Sequence, residues 1–151
     1  MTPSPSPSTE AAAVVAALQA TLESEHAAIY GYGALGAHLG GTERDRARRD
    51  LDVHRLRRDR LHAMLTERAA APAAARSAYR LPLRVTDAMT ARHLARTLEQ
   101  RLTRTYVALA GAPDPEVRRF AAIAAQDATL RTTRWGGRTG PFPGVPNGAY
   151  R

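Results

Sequence analysis

A glutamate in the middle of an apolar helical seam constrains this chain more than any other feature. Apolar and small residues recur at alternating spacings of three and four in the first third of the sequence, the pattern of one buried helix face. The series runs Val15, Leu18, Leu22, Glu25, Ile29, Tyr32, Gly36 and Leu39. Glu25 is therefore predicted to lie in a helical core. Because an unpaired buried charge is strongly destabilising, we expect the rest of the chain to supply partners at the same depth.

The composition favours a single all-α domain. The 151 residues are rich in Ala, Leu and Arg, and only 5% are aromatic. There is no cysteine, which excludes disulfides, zinc–thiolate sites and thiol catalysis. The lack of cysteine also fits a reducing compartment, and we expect a cytoplasmic location. The first residues show neither the basic nor the apolar region of a signal peptide, and no apolar run is long enough for a membrane span.

The net charge leaves several classes of partner open. The formal charge is +8, and every basic residue is arginine. A basic protein can contact nucleic acid, but acids alternate with arginines in the predicted second helix, which disfavours that partner without removing it. A homo-oligomer is compatible with the sequence, and a membrane partner is not expected.

Capping and breaking signals divide the chain into three parts. Residues 1–8 form a Pro/Ser tract predicted to be a disordered tail, residues 9–135 a four-helix bundle, and residues 136–151 a Gly/Pro-rich tail. The four predicted helices run from Thr9 to about Leu39, from Thr42 to about Ala70, from Thr86 or Asp87 to about Gly111, and from Asp114 to Trp135. Phe142, Val145 and Tyr150 are predicted to anchor the C-terminal tail to the bundle.

The connection between the second and third helices is predicted to be long and extended. Apolar residues alternate with polar residues or proline between positions 79 and 85, a period of two. About 16 residues at ~3.3 Å each reach roughly 50 Å, enough to run the length of a bundle. We therefore expect a crossover along the bundle rather than a tight turn.

Polar residues fall at one level of all four predicted helices. The seam of the second helix reads Leu51, His54, Arg58, Leu61, Leu65. That of the third reads Glu99, Leu102, Tyr106, Leu109, and that of the fourth Val117, Phe120, Ala124, Asp127, Arg131, Arg134. Counted from the two hairpin turns, Glu25, His54, Glu99 and Asp127 are level to within about 5 Å in each hairpin.

This predicted layer has two interpretations. Carboxylate and imidazole groups are ligands for iron or manganese, which makes Glu25, His54, Glu99 and Asp127 candidate metal ligands. Arg58, one turn from His54, and Tyr32 are candidates to hold a cofactor or small ligand. Alternatively, the layer is a purely structural network in which arginine and protonated histidine neutralise the acids.

Four segments together resemble a small ferritin-like family of high-GC actinobacteria. They are Glu25 to Gly33 (EHAAIYGYG), Tyr79 to Asp87 (YRLPLRVTD), Trp135-Gly-Gly, and Pro141 to Gly144 (PFPG). The resemblance covers roughly residues 10 to 146. It implies the ferritin-like fold, an all-α four-helix bundle with a long crossover between helices 2 and 3.

The resemblance implies a di-iron centre only where the ligands are present. That pattern has a Glu on two helices and Glu-x-x-His on the other two. Glu25 and Glu99 match the single-Glu places, His54 one of the histidines, and Asp127 one of the acids. Leu51 and Leu130 occupy the two remaining places, so the set is incomplete. Two hypotheses stay open: a ferritin-like protein whose layer binds a metal ion or small ligand, and a non-catalytic bundle acting as an interaction or oligomerisation module. Whether the protein is an enzyme is left undecided.

Overall fold

Four helices make up the fold. The computed structural model describes residues 6–138, 140 and 143–145. The helices are α1 (Pro7–Gly36), α2 (Gly41–Thr66), α3 (Ala88–Leu109) and α4 (Pro115–Arg134). Within these described residues there is no β-strand. The predicted all-α four-helix fold is confirmed.

The connections determine how the helices run. α1 packs against α2 and α3, and α3 packs against α4. The short links after α1 and α3 make α1–α2 and α3–α4 antiparallel pairs. α1 and α3 are also antiparallel, because Tyr32 bonds to Glu99 whereas Glu25 bonds to Tyr106. α2 and α3 therefore point the same way, and the chain between them must return along the whole bundle.

The crossover between α2 and α3 lies against α1. Near its beginning, the Gln19 side-chain amide donates to the carbonyl of Ala71 at 2.6 Å and accepts from the backbone N–H of Ala73 at 2.9 Å. Farther on, Leu81 approaches Gly31, with its Cδ2 atom 3.4 Å from the position of a Cβ built there. Residues 71–86 contain no helix, so the extended crossover expected from the period-two pattern is present.

The start of α1 differs from the prediction. Ser6 rather than Thr9 is the N-cap: its hydroxyl accepts from the Thr9 N–H at 3.4 Å, and Pro7 occupies the first turn. Proline suits this position because its missing N–H would have no partner in the helix. The tail predicted for residues 1–8 therefore extends too far, because residues 7 and 8 belong to α1. Residues 1–5 lie outside the described part. α1 ends at Gly36, before the predicted Leu39.

The other helix ends follow local backbone chemistry. Gly40 is the N-cap of α2 and has no side chain to cap it, so α2 begins at Gly41, one residue before the predicted Thr42, and ends at Thr66 rather than near Ala70. Asp87 caps α3 in a reciprocal capping box with Thr90, as one of the two predicted starts required. Asp114 caps α4, which confirms the predicted start.

Part of the C-terminal segment reaches the bundle. Gly144 lies so close to α3 that a Cβ there would be 2.7 Å from Cγ2 of Val107, and its φ of +84° suits glycine. Phe142 and Tyr150, two predicted anchors, lie outside the described residues. Within the described ranges, none of the helices has the length and apolarity needed to cross a bilayer.

The apolar core consists of two clusters. One joins residues of α1 between Val14 and Ala28, the C-terminal parts of α2 and α3, and residues of α4 between Val117 and Ala128. The other surrounds Tyr32, Leu94 and Trp135. Glu25, His54 and Glu99 fall in sequence between residues of the two clusters on their own helices, so a polar layer divides the core.

We predict that the Gln19 amide holds the crossover on α1. Gln19→Ala removes two hydrogen bonds, worth about 1 kcal/mol each, and should speed amide exchange at Ala73. Ser24→Ala is the control, since the Ser24 hydroxyl bonds only to Ala20 of its own helix. Hydrogen exchange followed by NMR measures the effect. Equal exchange rates at Ala73 in the two variants would contradict the role given to Gln19.

Candidate functional site

His54 is the centre of the buried polar layer. The imidazole is fully buried on α2, and its Nδ1 lies 2.8 Å from Oε2 of Glu25 on α1. Its Nε2 lies 3.0 Å from Oε1 of Glu99 on α3. Both carboxylates are fully buried as well. One imidazole therefore bridges two acids from different helices.

Each carboxylate receives further donors. Oε1 of Glu99 accepts from the Tyr32 hydroxyl at 2.6 Å and from Nε of Arg131 at 3.0 Å, in addition to His54. Oε1 of Glu25 accepts a short hydrogen bond from the Tyr106 hydroxyl. Side chains of all four helices thus meet in one network. Within the described residues, Oε2 of Glu99 is buried and has no hydrogen-bond partner.

The electrostatics favour a doubly protonated His54. Burial opposes its charged form, but Glu25 and Glu99 outweigh burial and raise the pKa of His54 to about 9. Burial likewise favours neutral Glu99, yet His54 and Arg131 lower the pKa of this carboxyl below its usual value. Burial also opposes the charge of Arg131, and Glu99 more than compensates, so the pKa of Arg131 is raised. The layer thus pairs two acidic side chains, Glu25 and Glu99, with two basic ones, His54 and Arg131.

The two tyrosines act as permanent donors. Burial first, and then the charge of the acid that each contacts, raise the pKa values of Tyr32 and Tyr106 well above the ordinary tyrosine value. Both hydroxyls therefore keep their protons at neutral pH. Beside the layer, Asp50 accepts from Nε1 of Trp135 at 2.9 Å. Burial raises the pKa of Asp50, although that hydrogen bond opposes the shift.

The structure brings together only part of the predicted site. Glu25, His54, Glu99 and Tyr32 share the layer, but Asp127 and Arg58 do not. Asp127 pairs with Arg57, and its side chain is 40% exposed. Arg58 pairs with Asp59 at 2.8 Å and is 32% exposed. Asp127 therefore lies outside the layer in which it was predicted, and Arg58, predicted one turn from His54, faces outward, because neither belongs to the buried face of its helix.

Two residues of the network were not singled out from the sequence. The buried face of α4 includes Ala124, Ala125, Ala128 and Arg131, and Asp127 is not part of it. Arg131 stood in the predicted seam, but its charge was not matched to a buried acid. Tyr106 stood two turns after Glu99 in the predicted seam of α3. Both residues are three or four positions from core residues of the same helix, and this spacing was the signal that could have identified them.

The comparisons with known proteins give the family. A family described as a domain of unknown function (DUF4439) matches residues 17–147. The chain belongs to the DUF4439 family. Its fold is similar to the crystal structure of a conserved hypothetical protein, rv2844, from Mycobacterium tuberculosis. The two are 33% identical, with a TM-score of 0.80 over 83% of this chain and 96% of that one. A comparison with curated proteins gave no match.

The layer of this DUF4439 protein does not fit a di-iron centre. Among the described residues, no group of three or more His, Asp or Glu side chains is arranged to hold a metal ion. Both ring nitrogens of His54 face carboxylates, and a protonated imidazole has no lone pair for a metal. Arg131 adds a fixed positive charge beside Glu99. Ligation of iron or manganese by Glu25, His54 and Glu99 stays a prediction, which this geometry disfavours, and Asp127, the fourth predicted ligand, lies outside the layer.

We predict that the DUF4439 protein loses stability as pH rises from about 6.5 to 9. The pKa of His54 is about 9 in the folded state, against about 6.5 in an unfolded chain. The stabilisation is therefore complete below pH ~6.5 and is lost as pH passes the folded-state value, a change on the order of 3 kcal/mol. Urea unfolding at several pH values measures it.

The matched control is His38→Gln, which removes an exposed histidine. That variant should keep the decline of the free energy of unfolding, whereas His54→Gln should flatten it. A wild-type free energy of unfolding that is constant or increases over this pH range would contradict a protonated His54.

Proposed function

We propose that this protein is a non-catalytic, metal-independent bundle of the ferritin-like type that serves as a binding or interaction module. The observation that carries the proposal is the double hydrogen bond of His54, at 2.8 Å to Glu25 and 3.0 Å to Glu99. With Arg131 on Glu99, protein cations face the carboxylates that would bind metal in a ferritin-like enzyme. The layer then serves structure, and the binding function belongs to the surface.

The chain path supports the ferritin-like part of the proposal. Two antiparallel hairpins are joined by a segment that returns along α1, from Gln19 near its beginning to Gly31 farther on. One long crossover of this kind is typical of ferritin-like bundles. Glu25 and Glu99 stand on the two helices that would each give a single glutamate.

Charge balance explains why such a layer can persist without a metal ion. A buried carboxylate without a partner is strongly destabilising. Here Glu25 faces one cation and a tyrosine hydroxyl, and Glu99 faces two cations and a tyrosine hydroxyl. Removing one member leaves the opposite charge uncompensated, which costs about 3–5 kcal/mol in buried pairs. The network also requires the four helices to keep fixed positions relative to one another along the bundle axis, which favours a single packing arrangement.

One observation favours a second candidate function, a site for a metal ion or small ligand in the layer. Oε2 of Glu99 is buried without a hydrogen-bond partner among the described residues. A buried acceptor of this kind is ordinarily satisfied by water or an ion. Tyr32 contacts the same carboxylate and is the remaining cofactor candidate from the sequence.

The proposal predicts that metals leave the protein unchanged and that Glu25 is needed for stability. Protein purified without a chelator or affinity tag should contain less than a stoichiometric amount of iron or manganese by mass spectrometry. Anaerobic Fe(II) or Mn(II) loading should not shift the Tm. Glu25→Gln should lower the free energy of unfolding by about 3–5 kcal/mol.

Glu23→Gln is the matched control. Glu23 is exposed on the same helix, and its ion pair with Arg76 is long, at 3.9 Å. Its loss should therefore change the free energy of unfolding by less than ~1 kcal/mol. One or two ions per chain that raise the Tm and disappear in Glu25→Gln would overturn the proposal and establish the second candidate.

A further inference from the structure

A cleft of about 330 Å³ opens between the C-terminal end of α1 and the N-terminal half of α2. Its walls are made largely of small residues, Gly33, Gly36 and Ala37 on α1 and Ala47 on α2, and Leu51 adds an apolar side chain. The buried Tyr32 also lines it. The cleft thus has an apolar interior that reaches a residue of the polar layer.

The glycines of α1 differ in what they accommodate. At Gly31, a Cβ would lie 2.6 Å from Cδ1 of Leu98, so close helix packing accounts for this glycine. At Gly33 and Gly36, a Cβ would meet nothing within 4 Å. Glycine inside a helix is less favourable than alanine, and packing within this chain does not require it at Gly33. The space that it leaves belongs to the cleft.

Two arginines give the cleft its charge. Arg44 donates from Nε to the carbonyl of Leu39 at 2.7 Å, which orients the side chain and leaves its terminal nitrogens without a partner among the described residues. Arg48 lies 3.8 Å from Asp45, beyond hydrogen-bond distance, and is exposed. Both arginines line the cleft, and among the described residues no acidic side chain does. Arginine suits planar anions because its guanidinium presents two parallel N–H groups.

We propose that this cleft binds a small amphipathic anion, with a carboxylate or phosphate on Arg44 and Arg48 and a short apolar body along Gly33, Gly36 and Tyr32. The volume of the cleft is within the range found for small-molecule pockets. The inference rests on the proposed function only in assigning its binding activity to a surface site. It does not require any property of His54 or its acids.

Octanoate and octyl phosphate are suitable probes, because they share one apolar chain and differ in the anionic group. Isothermal titration calorimetry of the full chain should show saturable binding of one equivalent of at least one of them. Octylammonium, with the same chain and the opposite charge, should not bind. Perturbation of the Tyr32 ring signals in NMR spectra places the bound anion in the cleft.

The chain supplies a matched pair of arginine variants. Arg48 and Arg55 both lie on α2, and each forms an ion pair with the acid three residues before it. Arg48→Gln, alone or with Arg44→Gln, should weaken binding by at least about tenfold, the usual effect of losing a charged hydrogen bond. Arg55→Gln should leave affinity unchanged. Gly33→Leu should block binding by filling the cleft, and circular dichroism verifies that it keeps its helices.

Three results would overturn the inference: neither anion binds, octylammonium binds equally well, or Arg48→Gln and Arg55→Gln have the same affinity. If Gly33→Leu does not fold, the arginine pair still decides. The outcome is separate from that of the proposed function. Anion binding can fail while the layer stays metal-free, and metal can bind in the layer while the cleft still takes anions.

Discussion

Neutralisation of two buried glutamates is the interaction on which this structure depends. Glu25 and Glu99 lie in the core, and His54 bridges them through both ring nitrogens. Arg131 supplies the second positive charge, and the hydroxyls of Tyr32 and Tyr106 donate to Oε1 of Glu99 and Oε1 of Glu25. Since these groups come from all four helices, they meet only when each helix has the correct position along the bundle axis. The network is therefore a constraint on assembly as much as a source of stability.

The rest of the fold supports this layer from both sides. One apolar cluster contains Leu22 and Leu102, the other contains Tyr32 and Leu94, and the acids lie between them. The crossover runs beside α1 and keeps α3 antiparallel to it, which is what lets Tyr32 meet Glu99 and Tyr106 meet Glu25. Tyr32 faces the network with its hydroxyl and also lines the α1–α2 cleft. The surface site proposed for this DUF4439 protein therefore adjoins its buried polar layer.

The sequence predicted the architecture well because helix periodicity, caps and breakers are local signals. Asp87 and Asp114 were recognised as helix starts, and the extended crossover followed from alternation and proline. The layer was predicted only in part, since spacing gives depth along a helix but leaves the angle around it ambiguous. Asp127 has the right depth and the wrong angle, whereas Arg131 has the right angle and was overlooked. The pairing of His54 with two acids at once depends on tertiary packing, which no single helix pattern contains.

The most direct test of the account is the protonation state of His54. Nitrogen-15 NMR of histidine-labelled protein distinguishes a ring with two N–H groups from a neutral ring with one bare nitrogen. Both nitrogens of His54 should carry protons at pH 7, with N–H signals protected from exchange, and one proton should be lost only as pH approaches about 9. A bare nitrogen on His54 at pH 7 would contradict it. The imidazole would then be neutral, the layer would carry a net negative charge, and a metal ion would become the natural partner for the two glutamates.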